Sequence, residues 1–219
     1  MELKEFIEQL PKRAVRAKKD GTYTVTPGMR QGVLPAGQLA AIAGVVEEYG
    51  LKGVRISTGQ RLVVDGVPGE VLPEVVEKIG PVGDVFRNKV QACQGVSGCN
   101  LGQRDSMGAA AALEEFLKDR KFGIKLKAGA SGCPMCCAES MIRDVGLIGR
   151  KNGWTVSFGG NGGRRARKGD ILAVDVSREE AFAVIGKALD YYAANARNKE
   201  RTARFVERVG IDAVKAAIR

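Results

Sequence analysis

Cys93 and Cys99 bracket five residues in Cys93-Gln94-Gly95-Val96-Ser97-Gly98-Cys99, and Cys133 and Cys137 bracket three in Ser131-Gly132-Cys133-Pro134-Met135-Cys136-Cys137. Four thiolates from two glycine-containing segments can hold a 4Fe-4S cube, because glycine lets backbone N–H groups approach and hydrogen-bond the sulfides. Structural zinc is the rival, but its knuckles usually space ligands as C-x2-C to C-x4-C, which C-x5-C fits poorly. The plain alternative is five unconnected buried thiols acting as small hydrophobes. Their confinement between Cys93 and Cys137, in two such segments, is hard to explain by packing alone. By spacing, Cys136 is the member left over as a non-ligand.

The chain contains no histidine. Imidazole is therefore absent as metal ligand, axial heme ligand and general base, and any metal chemistry must run on cysteine. The formal charge is +10, with an isoelectric point near 9.5. That balance favours an anionic partner of some kind without choosing among nucleic acid, acidic protein and polyanionic ligand.

The second cysteine pair leads, after six residues, to Asp144-Val145-Gly146-Leu147. A small residue, Gly-Cys, three residues, Cys, six residues, then acid, aliphatic, small, aliphatic is the signature of the siroheme-containing nitrite and sulfite reductases. The upstream C-x5-C pair also belongs to that family, so the chain resembles it on two linked motifs, from about Gly32 to Gly210. Among its members it resembles the small single-repeat, assimilatory-type sulfite reductases. The resemblance implies a 4Fe-4S cluster on Cys93, Cys99, Cys133 and Cys137, and a siroheme whose iron shares the sulfur of Cys137. It implies six-electron reduction of sulfite to sulfide, with nitrite reduction to ammonia as the alternative at the same site.

Siroheme carries eight carboxylates and the substrates are small oxyanions, so such a site needs several cations, with arginine preferred for a bidentate grip. The family's two arginines and two lysines match Arg55, Arg87, Lys125 and Lys127. On a strand, residues two apart face the same way, so the two ammonium groups can converge on one pocket and supply protons as well as charge. Where the family often has an arginine before Gln60 this chain has Gly59, and Arg61 is the nearest compensating cation. Phe158-Gly159-Gly160-Asn161-Gly162-Gly163-Arg164-Arg165 resembles the family's siroheme loop. Its glycines permit close approach, and Arg164, Arg165 and Arg167 can meet carboxylates.

Two kinds of element must position these groups. Apolar spacing predicts a helix from Leu39 to Gly50, strands at Val54–Thr58 and Leu62–Val64, and a helix over Glu70–Ile79, a small α+β lobe. Beyond Gly83 the pattern alternates between helices, Ser106–Lys118 and Glu179–Ala194, and strands, Ile124–Ala128, Val145–Ile148 and Thr155–Phe158. The fold expected is thus α+β, a ferredoxin-like N-terminal lobe followed by an α/β cluster- and siroheme-binding lobe, in a single copy of the sulfite reductase repeat. The divisions are 1–80, 81–197 and a charged amphipathic helical tail over 198–219, with Phe205, Val206 and Val209 on one side, read as surface packing.

Longer family members carry two copies of this lobe pair. A single copy implies either a monomer with an open heme or a symmetric homodimer. The basic surface suits an acidic electron donor such as ferredoxin. No apolar run is long enough to cross a bilayer and the first residues are acidic, so a cytoplasmic location with reduced thiols and no membrane partner is expected. Two competing readings are a siroheme-free iron-sulfur electron carrier and a nucleic-acid-binding module. With four Tyr, seven Phe and one Trp for stacking, nucleic acid ranks last and is not expected as a partner.

Overall fold

The computed structural model of the chain describes residues 2–84 and 86–219. They form two compact units, Met1–Val85 and Phe86–Arg219. No helix among the described residues is long and apolar enough to cross a membrane.

The first unit runs α1 (Leu3–Gln9), β1 (Val15–Ala17), β2 (Tyr23–Val25), α2 (Ala36–Glu48), β3 (Val54–Ser57), β4 (Arg61–Val67) and α3 (Leu72–Ile79). Its sheet is antiparallel throughout, in the order β1-β2-β4-β3. Leu72, Val75, Val76 and Ile79 recur at helical spacing and are all buried, so α3 turns one stripe inward. Ile42 and Val45 of α2 join them over Val25, Val64 and Val67. Gly80, at a φ of 81°, ends α3 in a conformation that only glycine adopts without strain. The three-residue strands β1 and β2 are too short to show a period in the sequence.

The second unit runs β5 (Lys89–Ala92), a 3-10 turn (Gly95–Ser97), α4 (Ser106–Phe116), β6 (Lys127–Ser131), a second 3-10 turn (Ser140–Ile142), β7 (Val145–Gly149), β8 (Trp154–Phe158), β9 (Asp170–Val176), α5 (Arg178–Asn195), α6 (Thr202–Val209) and α7 (Ile211–Ile218). The sheet order is β5-β6-β7-β8-β9. β5, β6 and β7 are parallel, and β8 and β9 are antiparallel to their neighbours. Every residue of β7 and β8 is buried, as a sheet covered on both faces requires.

Two expectations change. The strand expected at Ile124–Ala128 lies at Lys127–Ser131, so Lys125 precedes it. β6 pairs with β5 only from Lys89↔Lys127 onward. One step earlier the buried Asn88 side chain replaces the ladder, accepting the Leu126 N–H and donating to the carbonyls of Leu117 and Arg120. The C-terminal segment is no surface tail. Phe205, Val206 and Val214 are buried in the core, with Tyr192 meeting Phe205 edge-on at 5.2 Å. Burying each such side chain contributes on the order of 2 kcal/mol.

Candidate cluster and anion site

β5 ends at Ala92 and runs into Cys93; β6 ends at Ser131, and Cys133 follows two residues later, after Gly132. Because the two strands are parallel neighbours, with Ala92 opposite Ala130, both cysteine segments leave the same edge of the sheet. The carboxyl ends of parallel strands are where open α/β sheets bind ligands. The Cys93 N–H extends the ladder to the Ala130 carbonyl at 3.2 Å.

The two segments pack backbone against backbone. A Cβ on Gly132 would stand 2.5 Å from Gly95 Cα and 2.8 Å from the Arg104 carbonyl oxygen, and one on Gly102 would collide with Gly95. Gly132 N–H donates to Cys93 Sγ at 3.1 Å, and the Ser106 hydroxyl lies 3.4 Å from the same sulfur. Burial raises the Cys93 thiol, but these donors and the Gly95 N–H outweigh it and hold it below the ordinary range. Cys133 is buried, whereas Cys99 and Cys137 are exposed. Cys136 sits half-buried in the left-handed region, at a φ of 54°. Burial pushes its thiol up; Arg150 opposes that, and the nearby Cys133, Cys137 and Cys93 reinforce it.

Among the described residues no three His, Cys, Asp or Glu side chains are gathered closely enough to hold a metal ion. A single zinc would need its sulfurs within about 2.3 Å of one point. A cube takes one thiolate at each of four corners and spaces its ligands more widely. An all-thiol donor set on two loops, with glycine backbone between them, fits the cube better than a single ion.

The cations divide by location. In the first unit, Arg55 on β3 is 58% exposed and grips Asp65 through Nε at 3.0 Å and Nη2 at 3.4 Å. Arg61, the cation nearest Gly59, closes a partly buried ion pair with Asp84 in its own unit. In the second unit, Arg87 is exposed and donates from Nη2 to the Phe122 carbonyl at 2.9 Å. Lys125 is half-buried and Lys127 exposed, while Phe122, Ile124, Leu126 and Ala128 are buried. This alternation puts both lysines on the outer side, although only Lys127 lies on the strand.

The glycine loop is at the lysine end of the sheet. Phe158 pairs with Val145, and Gly159 N–H donates to the Asp144 carbonyl at 2.9 Å. Gly159 and Gly160 are buried, and a Cβ on Gly160 would meet the Arg143 backbone at 2.6 Å. Asn161 and Arg167 exchange two backbone hydrogen bonds of 2.8 Å, and Asn161 Nδ2 donates to the Arg165 carbonyl at 2.7 Å. Gly162, Gly163, Arg164 and Arg165 are exposed at its tip. Arg167 is turned inward, to the Gly159 carbonyl and Asp170. The length of β6, about 13 Å for four residue steps, separates Lys127 from the cysteine end.

Spacing alone did not point to several residues that shape the site. Arg104 donates from Nε to the Arg150 carbonyl at 2.9 Å and from Nη2 to the Lys151 carbonyl at 2.7 Å, tying the first cysteine segment to the end of β7. Arg143 bridges Gln91 Oε1 at 2.5 Å and Glu139 at 2.7 Å. Asp144 binds the lysine segment. The motif that contains Asp144 flagged its type, but its partners come from other elements.

Comparison with known proteins covers both units. The nitrite and sulphite reductase 4Fe-4S domain matches residues 83–219, and the nitrite/sulfite reductase ferredoxin-like half domain matches residues 16–82. The assimilatory-type sulfite reductase of Nitratidesulfovibrio vulgaris is 38% identical over 212 residues, 95% of this chain and 97% of that protein. The NAD(P)H nitrite reductase of Bacillus subtilis is 38% identical over 205 residues, 92% of this chain but 26% of that protein. The Mycobacterium tuberculosis NirA protein shares the fold, with a TM-score of 0.78 at 23% identity over 96% of this chain and 42% of that one.

Proposed function

Because the chain belongs to the nitrite and sulfite reductase family, an oxidoreductase family whose cofactors are a 4Fe-4S cluster and siroheme, we propose that it reduces sulfite to sulfide. The observation that carries this reading is the emergence of two cysteine pairs from the carboxyl ends of adjacent parallel strands, their loops locked together at Gly95 and Gly132. Near-complete mutual coverage with a sulfite reductase supports sulfite over nitrite. Equal identity to a nitrite reductase supports nitrite as the second reading.

In this proposal Cys93, Cys99, Cys133 and Cys137 would hold the cluster, and Cys137 would also help to hold the siroheme. When bound, the two groups would relay to the anion the six electrons that a carrier delivers. The rest falls to the protein's own side chains. Lys125 and Lys127, with Arg87, bind and orient the oxyanion, and the lysine Nζ atoms hold the protons it takes up. Arg55 offers a guanidinium whose partner, Asp65, can exchange for another anion, since exposed ion pairs are worth at most about 1 kcal/mol. Gly160, Asn161, Gly162 and Gly163 let the chain approach a macrocycle closely, and Arg164 and Arg165 face its carboxylates. An acidic carrier such as ferredoxin delivers the electrons.

The visible spectrum of the purified protein, extraction of its tetrapyrrole and steady-state rates on both anions test this. Chlorin-type bands with a higher kcat/KM on sulfite are expected. A plain iron-sulfur spectrum from a well-supplied host would instead mean an electron carrier without siroheme, and faster turnover of nitrite would reverse the substrate order.

A further inference from the structure

Asp144 is the acid of the motif that follows Cys137, and neither cluster binding nor anion binding uses it. Its side chain is fully buried, with a residue exposure of 1%. Oδ2 accepts the Lys127 N–H at 2.7 Å and pairs with Arg201 Nη2; Oδ1 accepts the Thr202 hydroxyl at 2.6 Å. The Asp144 N–H donates back to the Lys127 carbonyl at 2.9 Å. The other arm of the Arg201 fork, Nη1, donates to the Lys125 carbonyl at 3.0 Å.

We propose that Asp144 and Arg201 are positioning residues that fix the main chain of 125–127 and so aim the Lys125 and Lys127 ammonium groups at the anion. The inference rests on the assignment of those lysines to the anion site. Three geometric facts carry it. The contacts fall on both sides of Leu126, at the carbonyl of Lys125 and at the N–H and carbonyl of Lys127. Leu126 is itself buried at 1% exposure and its N–H points to Asn88 Oδ1, so the segment has no slack between the two anchors. Lys125 lies outside the β6 ladder, and Arg201 holds its carbonyl ahead of the point where strand pairing holds Lys127.

A buried ion pair is a weak route to stability, since apolar replacements are often no worse. What the pair adds is direction. One planar guanidinium reaches a carboxylate with one arm and a carbonyl with the other, which a lysine's point charge cannot do. Thr202 completes the carboxylate's shell, and Arg201 and Thr202 sit at the start of α6. The C-terminal segment is thereby joined to the lysines.

The test is made on the cofactor-loaded protein with sulfite as the varied anion. Arg201→Lys keeps a charge opposite Asp144, whereas Arg201→Met orphans a buried carboxylate and risks unfolding. Arg201→Lys is expected to retain iron and siroheme and to speed hydrogen exchange at the amides of 125–128. Its KM for sulfite should rise by about 10- to 100-fold, the scale of a displaced binding group. In a Lys125→Ala/Lys127→Ala background the same substitution should leave KM unchanged, because nothing remains to be aimed. Faster exchange with an unaltered KM, or a KM effect that multiplies undiminished in the double-alanine background, overturns the inference. A wild-type KM in the double-alanine protein alone removes the lysines from the anion site, and the inference falls with that reading.

Discussion

Cys136 and Cys137 are adjacent, yet their surroundings separate them. Cys136 is half-buried in a left-handed turn with its thiol pushed up by burial, whereas Cys137 is exposed. Cys137→Ser is expected to lose the coupled siroheme, while Cys136→Ser keeps both cofactors; iron, acid-labile sulfide and siroheme contents of the two proteins check this, and equal losses would reverse the ligand assignment. A second single-residue prediction concerns pH. Hydrogen bonding to Arg208, helped by the Arg197 N–H, holds the Glu200 carboxyl at about 2, below its ordinary value of 4.5. A lowered carboxylate value stabilises the fold at pH above the ordinary value, and that contribution is lost as pH falls from about 4.5 through about 2. Glu200→Gln should therefore melt below wild type at pH 7, with the gap narrowing toward pH 2. A constant gap across that range would show that Glu200 contributes through shape alone.

Among the elements, parallel pairing of β5 and β6 does most to build the site. β6 reads Lys-Ala-Gly-Ala-Ser, a run with little β-propensity. Its small residues are explained by close approach: a Cβ on Gly129 would stand 2.6 Å from the Ala138 carbonyl, on the segment that follows the second cysteine pair. The sequence pattern placed this strand too early because Phe122, Ile124, Leu126 and Ala128 alternate inward without belonging to one ladder. Gly132 is the narrowest point between the two cysteine segments. Gly132→Ala is expected to force them apart, destabilising the protein by about 1–3 kcal/mol and lowering cluster content. Gly163→Ala, where the nearest atom would be 3.4 Å away, should do neither. Iron content and melting temperature of the two variants decide between a packed junction and a permissive loop.

For the whole molecule, the +10 charge is the feature on which the proposal of an acidic donor rests. With ferredoxin as donor, kcat/KM should fall steeply as ionic strength rises from low salt to physiological levels, where the screening length shrinks to about 8 Å. With a small neutral or cationic dye as donor the slope should be flat or reversed. Equal slopes with both would argue against electrostatic docking. The two family domains each match one stretch of this sequence, residues 16–82 and 83–219. The α+β class was legible in the sequence because α3 carries a helical spacing and β8 alternates Trp154, Val156 and Phe158 with Thr155 and Ser157, whereas the ferredoxin-like character of the first lobe was what the family resemblance implied. The apolar side of the C-terminal segment, with Phe205 and Val206, was legible as an amphipathic pattern, but its depth was not: Phe205, Val206 and Val214 join the core of the second unit rather than pack on its surface.

The sequence by itself determined the donor set. Five cysteines, no histidine and two fixed spacings limit the metal chemistry to thiolate, and the motif reaching Asp144 identifies the family. Only the tertiary structure decided which groups meet. The cysteine pairs become neighbours through a register between strands far apart in the chain, Ala92 against Ala130. Arg61 and Arg167 turn to Asp84 and Asp170, while Arg201 reaches back to Asp144 and Lys125. A spacing records which side chains a loop can offer. Which donor a buried carboxylate or carbonyl receives depends on the elements folded against it, and local periodicity carries no trace of that choice.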